Sequence, residues 1–171
     1  MMIAIRQEQP WDVKEIREVN LLAFGQPQEA DIVDKLRQNC PDLLSLVAIV
    51  ENRVVGHILF SPATIKRKDR VMHGMGLAPM GVLPEYQGQG IGSQLVRTGI
   101  AELKNRSCPF VIVLGHAEYY PRFGFERASA HGIRSEWDVP DEAFMILVPD
   151  ESVMRGVSGV ARYQPEFAEA M

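Results

Sequence analysis

Three glycines within five residues, Gly88, Gly90 and Gly92, lie at the junction of a predicted strand over 75–83 and a predicted helix over 91–104. Glycine lets the main chain come close to a ligand because it has no Cβ. The first amides of a helix lack acceptors within the helix, and the helix dipole adds partial positive charge at that end. The junction therefore predicts a cradle for a phosphate or pyrophosphate group, with a plain tight turn as the alternative.

Two common nucleotide-binding loops do not fit this junction. A P-loop requires a lysine directly after its last glycine, and no lysine lies between Arg70 and Lys104. A dinucleotide-binding turn requires the pattern Gly-x-Gly-x-x-Gly. Gly88 and Gly90 match its first two glycines, but Ser93 stands at the third position. Nucleotide binding is therefore retained only as an alternative to the functions considered below.

Helix-like and strand-like patterns alternate along the rest of the chain. They indicate helices over 10–24, 28–39 and 118–122, and strands over 3–5, 43–59 (a hairpin), 110–114, from 125, and 143–148. Residues 129–142 show no periodicity, and 66–70 are a charged loop. Helices interspersed among strands indicate one domain of the α/β or α+β class over 1–171, with 150–171 as a tail packed on the body.

The composition argues against several other classes of protein. An apolar share of 46% and a charged share of 23% are typical of a globular chain. A net charge of −4 disfavours a nucleic-acid partner, and no apolar run reaches the length of about 18 residues that a membrane span needs. Cys40 and Cys108 show no metal-ligand spacing, which indicates free thiols in a cytoplasmic protein without a metal site.

Two motifs, in this order along the chain, resemble those of the GNAT superfamily of acyl-CoA-dependent N-acyltransferases. The first is Gln-x-x-Gly-x-Gly, present as Gln87, Gly90 and Gly92, which resembles the family's pyrophosphate loop. The second is Tyr-x-x-x-Gly-Phe at 120–125, which follows the next predicted strand. The resemblance covers residues 3–148.

The resemblance implies a particular architecture. We expect a single N-acetyltransferase domain of the α/β (α+β) class, with a central mixed, mostly antiparallel sheet of about six to seven strands flanked by helices. We also expect the sheet to be splayed between the strands at 75–83 and 110–115.

The same resemblance implies that acetyl-CoA is the cosubstrate and that no metal is needed. Main-chain amides at the start of the helix would bind the CoA pyrophosphate, and the preceding strand would hold the pantetheine arm as an added strand. The residues placed at the cofactor in this way are Met80, Gly81, Val82, Gln87, Gly88, Gln89, Gly90, Ile91, Gly92 and Ser93.

Tyr120 aligns with the family's tyrosine that protonates the departing CoA thiolate. An unperturbed phenol has a pKa of about 10, so it keeps its proton at neutral pH and can donate it. The general base is left open, because the strand before the glycine-rich loop contains no carboxylate. The candidates are His116, Glu118, His73 and a water relay. Tyr119 is expected to face away from the site.

These expectations combine into an N-acetyltransferase that moves the acetyl group of acetyl-CoA to a primary amine by direct attack in a ternary complex. The alternative is a non-catalytic acyl-CoA-binding or sensing module. The acceptor is a small-molecule or peptide amine that the sequence does not identify. Glu29, Asp31 and Asp34 could attract a cationic amine or could form a solvated helix face. The oligomeric state is left open, with a homodimer among the options.

Overall fold

The computed structural model describes residues 1–171, and its strands form one nine-stranded sheet. The strands are β1 (Ala4–Gln7), β2 (Leu44–Val50), β3 (Arg53–Arg67), β4 (Arg70–Val82), β5 (Val111–Leu114), β6 (Glu126–Arg127), β7 (Ile133–Ser135), β8 (Phe144–Leu147) and β9 (Gly159–Arg162). Their order is β1-β2-β3-β4-β5-β8-β6, and β9 pairs with both β3 and β7. Neighbouring strands are antiparallel except in the pairs β4–β5 and β7–β9.

The α-helices are α1 (Val13–Phe24), α2 (Gln28–Asn39), α3 (Ile91–Asn105) and the short α4 (Glu151–Met154). In α1 the buried residues Ile16, Val19 and Asn20 recur at helical spacing, which gives the helix one inward face. Gly25 ends α1 in the left-handed region, with φ of 67°. No helix combines the length and the apolar character that crossing a bilayer requires.

The helices α1 and α3 lie on opposite faces of β4. Met80 and Gly81 are consecutive in this strand, so they point to opposite faces. Met80 lies against Gly92 of α3, whereas Gly81 lies against α1. A Cβ at Gly81 would come within 3.0 Å of the Cβ of Ala23. The missing side chain therefore allows α1 to approach the strand closely.

The strands β4 and β5 part after three residue pairs, the last of which joins Leu77 to Val113. Directly beyond this point β4 has a bulge, in which Ala78 and Pro79 together oppose one residue of β3. A bulge bends its strand and increases the local twist. Residues 80–82 are thereby carried away from β5, and a cleft opens between the two strands.

The predicted fold class is confirmed, but the predicted strand count of about six to seven is too low, since the sheet has nine strands. The strands that were not expected are β7 and β9, of three and four residues, whereas the strand predicted from residue 125 is the two-residue β6. An alternating pattern needs about four residues or more to be recognised. For the same reason the segment 129–142, which we expected to be irregular, contains β7.

Two element boundaries also differ from the predictions. The charged stretch 66–70, predicted as a loop, is mostly strand, because β3 runs to Arg67 and β4 begins at Arg70. The helix predicted over 10–24 begins with a 3-10 turn at Pro10–Asp12. In both cases pairing or packing with neighbouring elements determines the backbone more than the local residue type does.

The packing of α3 on the sheet provides a first prediction. A Cβ added at Gly99 would lie 2.2 Å from the ring of Phe60, which is fully buried. We expect Gly99→Ala to lower the free energy of unfolding by about 2 kcal/mol, because overpacking outweighs the helix propensity gained. The exposed Thr98→Ala on the same helix is the control, and urea titration measures both. Equal stability of the two variants would contradict this packing.

Candidate active site

A cavity of about 770 Å³ occupies the cleft between β4 and β5. Its volume falls within the range of small-molecule sites. The walls come from the outer part of β4, the glycine-rich loop, the start of α3, and residues 114–122. On the other side they come from the end of α1, the start of α2, Trp137 and residues near the C-terminus. One continuous space therefore joins the two faces of the sheet.

The glycine-rich loop presents main-chain amides to one end of the cavity. Gly88 and Gly90 have φ values of 76° and 84°, a region that favours glycine. Gly90 is the N-cap of α3, and no side chain accepts a hydrogen bond from the first turn. Gln87 fixes the loop to the end of β4 by donating from Nε2 to the Val82 carbonyl at 2.9 Å. Such an uncapped helix start is suited to binding phosphate oxygens.

Tyr120 lines the cavity from the segment that follows β5. Its side chain is 7% exposed, and burial, followed by the neighbouring Tyr119, raises the pKa of its phenol to about 12. A Cβ at Gly115 would lie 2.5 Å from the Tyr120 ring, so glycine lets the ring pack against the end of β5. The phenol therefore keeps its proton over the whole physiological pH range.

The prediction that Tyr119 faces away from the site is wrong. Tyr119 lines the cavity, and its hydroxyl lies 3.1 Å from Ser93 Oγ in the first turn of α3. The Arg122 guanidinium stacks on its ring, 4.7 Å from the centroid. The prediction assumed α-helical geometry, whereas Tyr119 is the N-cap of a 3-10 helix at Tyr120–Phe123. Tyr119 precedes that helix, so helical spacing does not set its side chain apart from Tyr120, and the two rings contact each other edge to face with 5.1 Å between centroids.

The other predicted site residues divide into two groups. All the residues expected at the cofactor line the cavity except Gln89, whose side chain donates to the Glu85 carbonyl at 3.3 Å. Of the base candidates, the exposed His116 lines the cavity, whereas Glu118 and His73 do not. We therefore set Glu118 and His73 aside.

No group of three or more His, Cys, Asp or Glu side chains is arranged to hold a metal ion.

Tyr163, which no sequence motif indicated, lies where β4 and β5 part. Its hydroxyl donates to the Leu77 carbonyl at 3.1 Å and lies 3.4 Å from the Ile112 carbonyl. Burial raises the pKa of this phenol well above its ordinary value. By contacting a carbonyl of each strand, Tyr163 fixes the point of divergence. The only signal in the sequence was an aromatic residue after the short strand β9.

The comparison with protein families decides which family this architecture represents. The model of the acetyltransferase (GNAT) family matches residues 13–125, a span that includes the glycine-rich loop and Tyr120. The chain belongs to the GNAT family of acetyltransferases. It is accordingly an acyltransferase.

Two Escherichia coli proteins are similar in sequence to this GNAT chain. The uncharacterized N-acetyltransferase YjhQ of strain K12 is 47% identical over 136 residues, which are 77% of this chain and 74% of YjhQ. The uncharacterized N-acetyltransferase YhbS of the same strain is 34% identical over 164 residues, which are 95% of this chain and 97% of YhbS.

Two solved GNAT structures are similar in fold. The 1.55 Å crystal structure of Escherichia coli YhbS in complex with CoA has a TM-score of 0.90 and 33% identity, and covers 97% of this chain and 92% of its own. A GNAT family acetyltransferase from Brucella melitensis in complex with acetyl-CoA has a TM-score of 0.77 and 35% identity. That comparison covers 97% of this chain and 98% of the Brucella chain.

Proposed function

We propose that this GNAT protein transfers the acetyl group of acetyl-CoA to a primary amine by direct attack in a ternary complex. One observation carries the proposal: a single cavity joins the uncapped start of α3 to the buried phenol of Tyr120. The similar solved structures support it, since YhbS was crystallised with CoA and the Brucella protein with acetyl-CoA.

The loop and β4 would hold the cosubstrate. In this proposal the amides of residues 90–93, which line the cavity, bind the CoA pyrophosphate at the positive end of the α3 dipole. Residues 80–82 of β4 do not pair with β5, because the pairing between these two strands ends at Leu77. An extended pantetheine arm would pair with this free edge as an added strand does. Only the main chain of Val82 would then be functional, because its side chain is buried in the core.

The remaining residues supply the proton transfers. The neutral amine nitrogen attacks the thioester carbonyl carbon, a C–N bond forms, and the C–S bond breaks as the tetrahedral intermediate collapses. Tyr120 gives its proton to the leaving CoA thiolate, which is consistent with a pKa of about 12. The nitrogen loses its proton to His116 or to water. His116 is the only base predicted from the sequence that lines the cavity.

We also propose that residues 1–171 act as one N-acetyltransferase domain in the cytoplasm. The segment after residue 150 supports the first point, because β9 pairs with β3 and β7, and Phe167 is buried. The free cysteines Cys40 and Cys108 support the second, because a reducing compartment keeps thiols unpaired.

Cosubstrate binding gives a direct test with a matched pair of variants. We expect isothermal titration to show acetyl-CoA binding that Gly90→Ala weakens about tenfold or more, because a side chain strains the loop and enters the cradle. Gly25→Ala is the control: Gly25 also has a positive φ and open space at its Cβ, but it ends α1 and does not line the cavity. We expect it to lower stability without changing acetyl-CoA affinity.

Three outcomes would contradict the proposal. The first is no binding of acetyl-CoA at millimolar concentration, and the second is tighter binding of ATP or NAD than of acetyl-CoA. The third is tight binding of acetyl-CoA without release of thiol for any amine in a broad panel. That result would favour an acyl-CoA sensor over an enzyme.

A further inference from the structure

Charge is distributed unevenly along the cavity. Its only permanently cationic side chain, Arg122, stacks on Tyr119 beside the start of α3. Its only acidic side chain, Glu29, belongs to the first turn of α2. Because α2 packs on α1, and α1 and α3 lie on opposite faces of β4, the two charges belong to opposite ends of the cavity. The end away from the glycine-rich loop is therefore the anionic one.

Glu29 differs from its acidic neighbours because it has no counter-ion. Asp31 and Asp34 are paired with Arg17 at 2.9 and 2.7 Å, and Asp34 also pairs with Arg37 at 3.1 Å, so each of these two carboxylates has a cationic partner. The half-buried Glu29 accepts hydrogen bonds at 3.0 Å only from the neutral amide of Gln26. A carboxylate in this setting is available to a cationic ligand, and charge-assisted hydrogen bonds are the stronger kind.

Apolar side chains line the same end of the cavity. Phe24 of α1 and Ile32 of α2 form one side of it. Trp137 stacks on Tyr163 with 5.6 Å between ring centroids, and Phe167 packs on Tyr163 at 5.0 Å. These rings form a wall on which a ligand would bury hydrocarbon or aromatic surface.

We propose that the acceptor is an amine with an apolar body whose positive charge pairs with Glu29, an inference that rests on the proposed acetyl transfer. The charge belongs either to the reacting amine before it loses its proton or to a second cationic group of a diamine. An acceptor that carries a carboxylate, such as an amino acid, is disfavoured because its charge repels Glu29.

The first test is a panel of amines with release of CoA thiol as the readout. We expect 2-phenylethylamine, hexylamine or 1,6-diaminohexane to give kcat/KM about tenfold or more above ethanolamine and β-alanine. A preference for the diamine over hexylamine identifies the charge as the second cationic group. A preference for ethanolamine or β-alanine overturns the proposal.

The second test removes the charge of Glu29. We expect Glu29→Gln to raise KM for the preferred amine about 10- to 100-fold while KM for acetyl-CoA stays unchanged. Glu18→Gln removes the same charge from an exposed position on α1 and is the control. Phe24→Ala, at a site that is 38% exposed, should raise KM for 2-phenylethylamine more than for ethanolamine. An unchanged KM in Glu29→Gln for every amine overturns the assignment of Glu29.

These outcomes are separate from those that test acetyl transfer itself. Absence of acetyl-CoA binding, or of thiol release with any amine, contradicts the proposed function. A higher kcat/KM with small hydrophilic or anionic acceptors than with the apolar amines contradicts only the assignment of the acceptor class.

Discussion

Replacing Tyr120 by phenylalanine is expected to lower kcat at least about a hundredfold, because a general acid contributes about 10²- to 10⁴-fold. The ring and its packing against Gly115 and Phe125 stay in place, so the fold and the affinity for acetyl-CoA should change little. Only the proton for the departing thiolate is lost. Steady-state kinetics with acetyl-CoA and a good amine, together with isothermal titration, measure the two quantities.

Tyr119→Phe provides the contrast on the adjacent residue. The Tyr119 hydroxyl interacts with Ser93 in the first turn of α3, so its loss should weaken acetyl-CoA binding more than it lowers kcat. Because the pKa of Tyr120 is about 12, loss of its proton should not cause a decline of kcat below about pH 10. An unchanged kcat in Tyr120→Phe would reject its role as general acid.

The position of the site could be predicted from the sequence because local patterns determine it. Gly88 and Gly90 require positive φ, and their place between a strand and a helix can be recognised without any tertiary information. The same is true of the motif that begins at Tyr120. In each case the proposed role depends on residues that are close in sequence.

The proposed acceptor end of the cavity could not be predicted because it is assembled from distant segments. Glu29 and Phe167 line one cavity although more than a hundred residues separate them. The sequence gives no local sign that Asp31 and Asp34 are paired with Arg17 while Glu29 is not. Nor does an apolar stretch reveal that its one histidine, His57, belongs to a buried polar network.

That network joins α1, β2, β3 and Glu8, the residue after β1, and its His57 is paired with Gly81 of β4. Asn20 of α1 donates from Nδ2 to His57 Nδ1 at 3.1 Å, and Ser45 Oγ lies 2.9 Å from His57 Nε2. Because the Ser45 hydroxyl gives its one hydrogen to Glu8 at 2.7 Å, it must accept from Nε2. Both ring nitrogens of the neutral imidazole are thus satisfied, and a second proton, on Nδ1, would point at the Asn20 amide nitrogen, which is itself a donor.

The stability of the protein should therefore fall as the pH drops below neutrality. Burial is the main cause that lowers the pKa of His57 from 6.5 to about 4. The unfolded chain takes up this proton near pH 6.5, whereas the folded chain does so only near pH 4, so the unfolded state holds more protons in between. Stability is then lost as pH falls through this window, by about 2 kcal/mol between pH 7 and pH 5.

Urea titration at fixed pH values measures this loss, and His57→Gln should abolish most of it while also lowering stability at pH 7. His73→Gln is the control, because His73 is exposed on β4 and its removal should leave the pH dependence unchanged. Glu8 does not interfere, since its pKa lies below the ordinary value of 4.5 and its contribution to stability is lost only in more acidic solution.

Should His57→Gln fail to fold, NMR of the native protein still decides whether His57 stays neutral. A His57 ring that titrates near pH 6.5 in the folded state would contradict the assignment, because the buried imidazole must stay neutral to about pH 5.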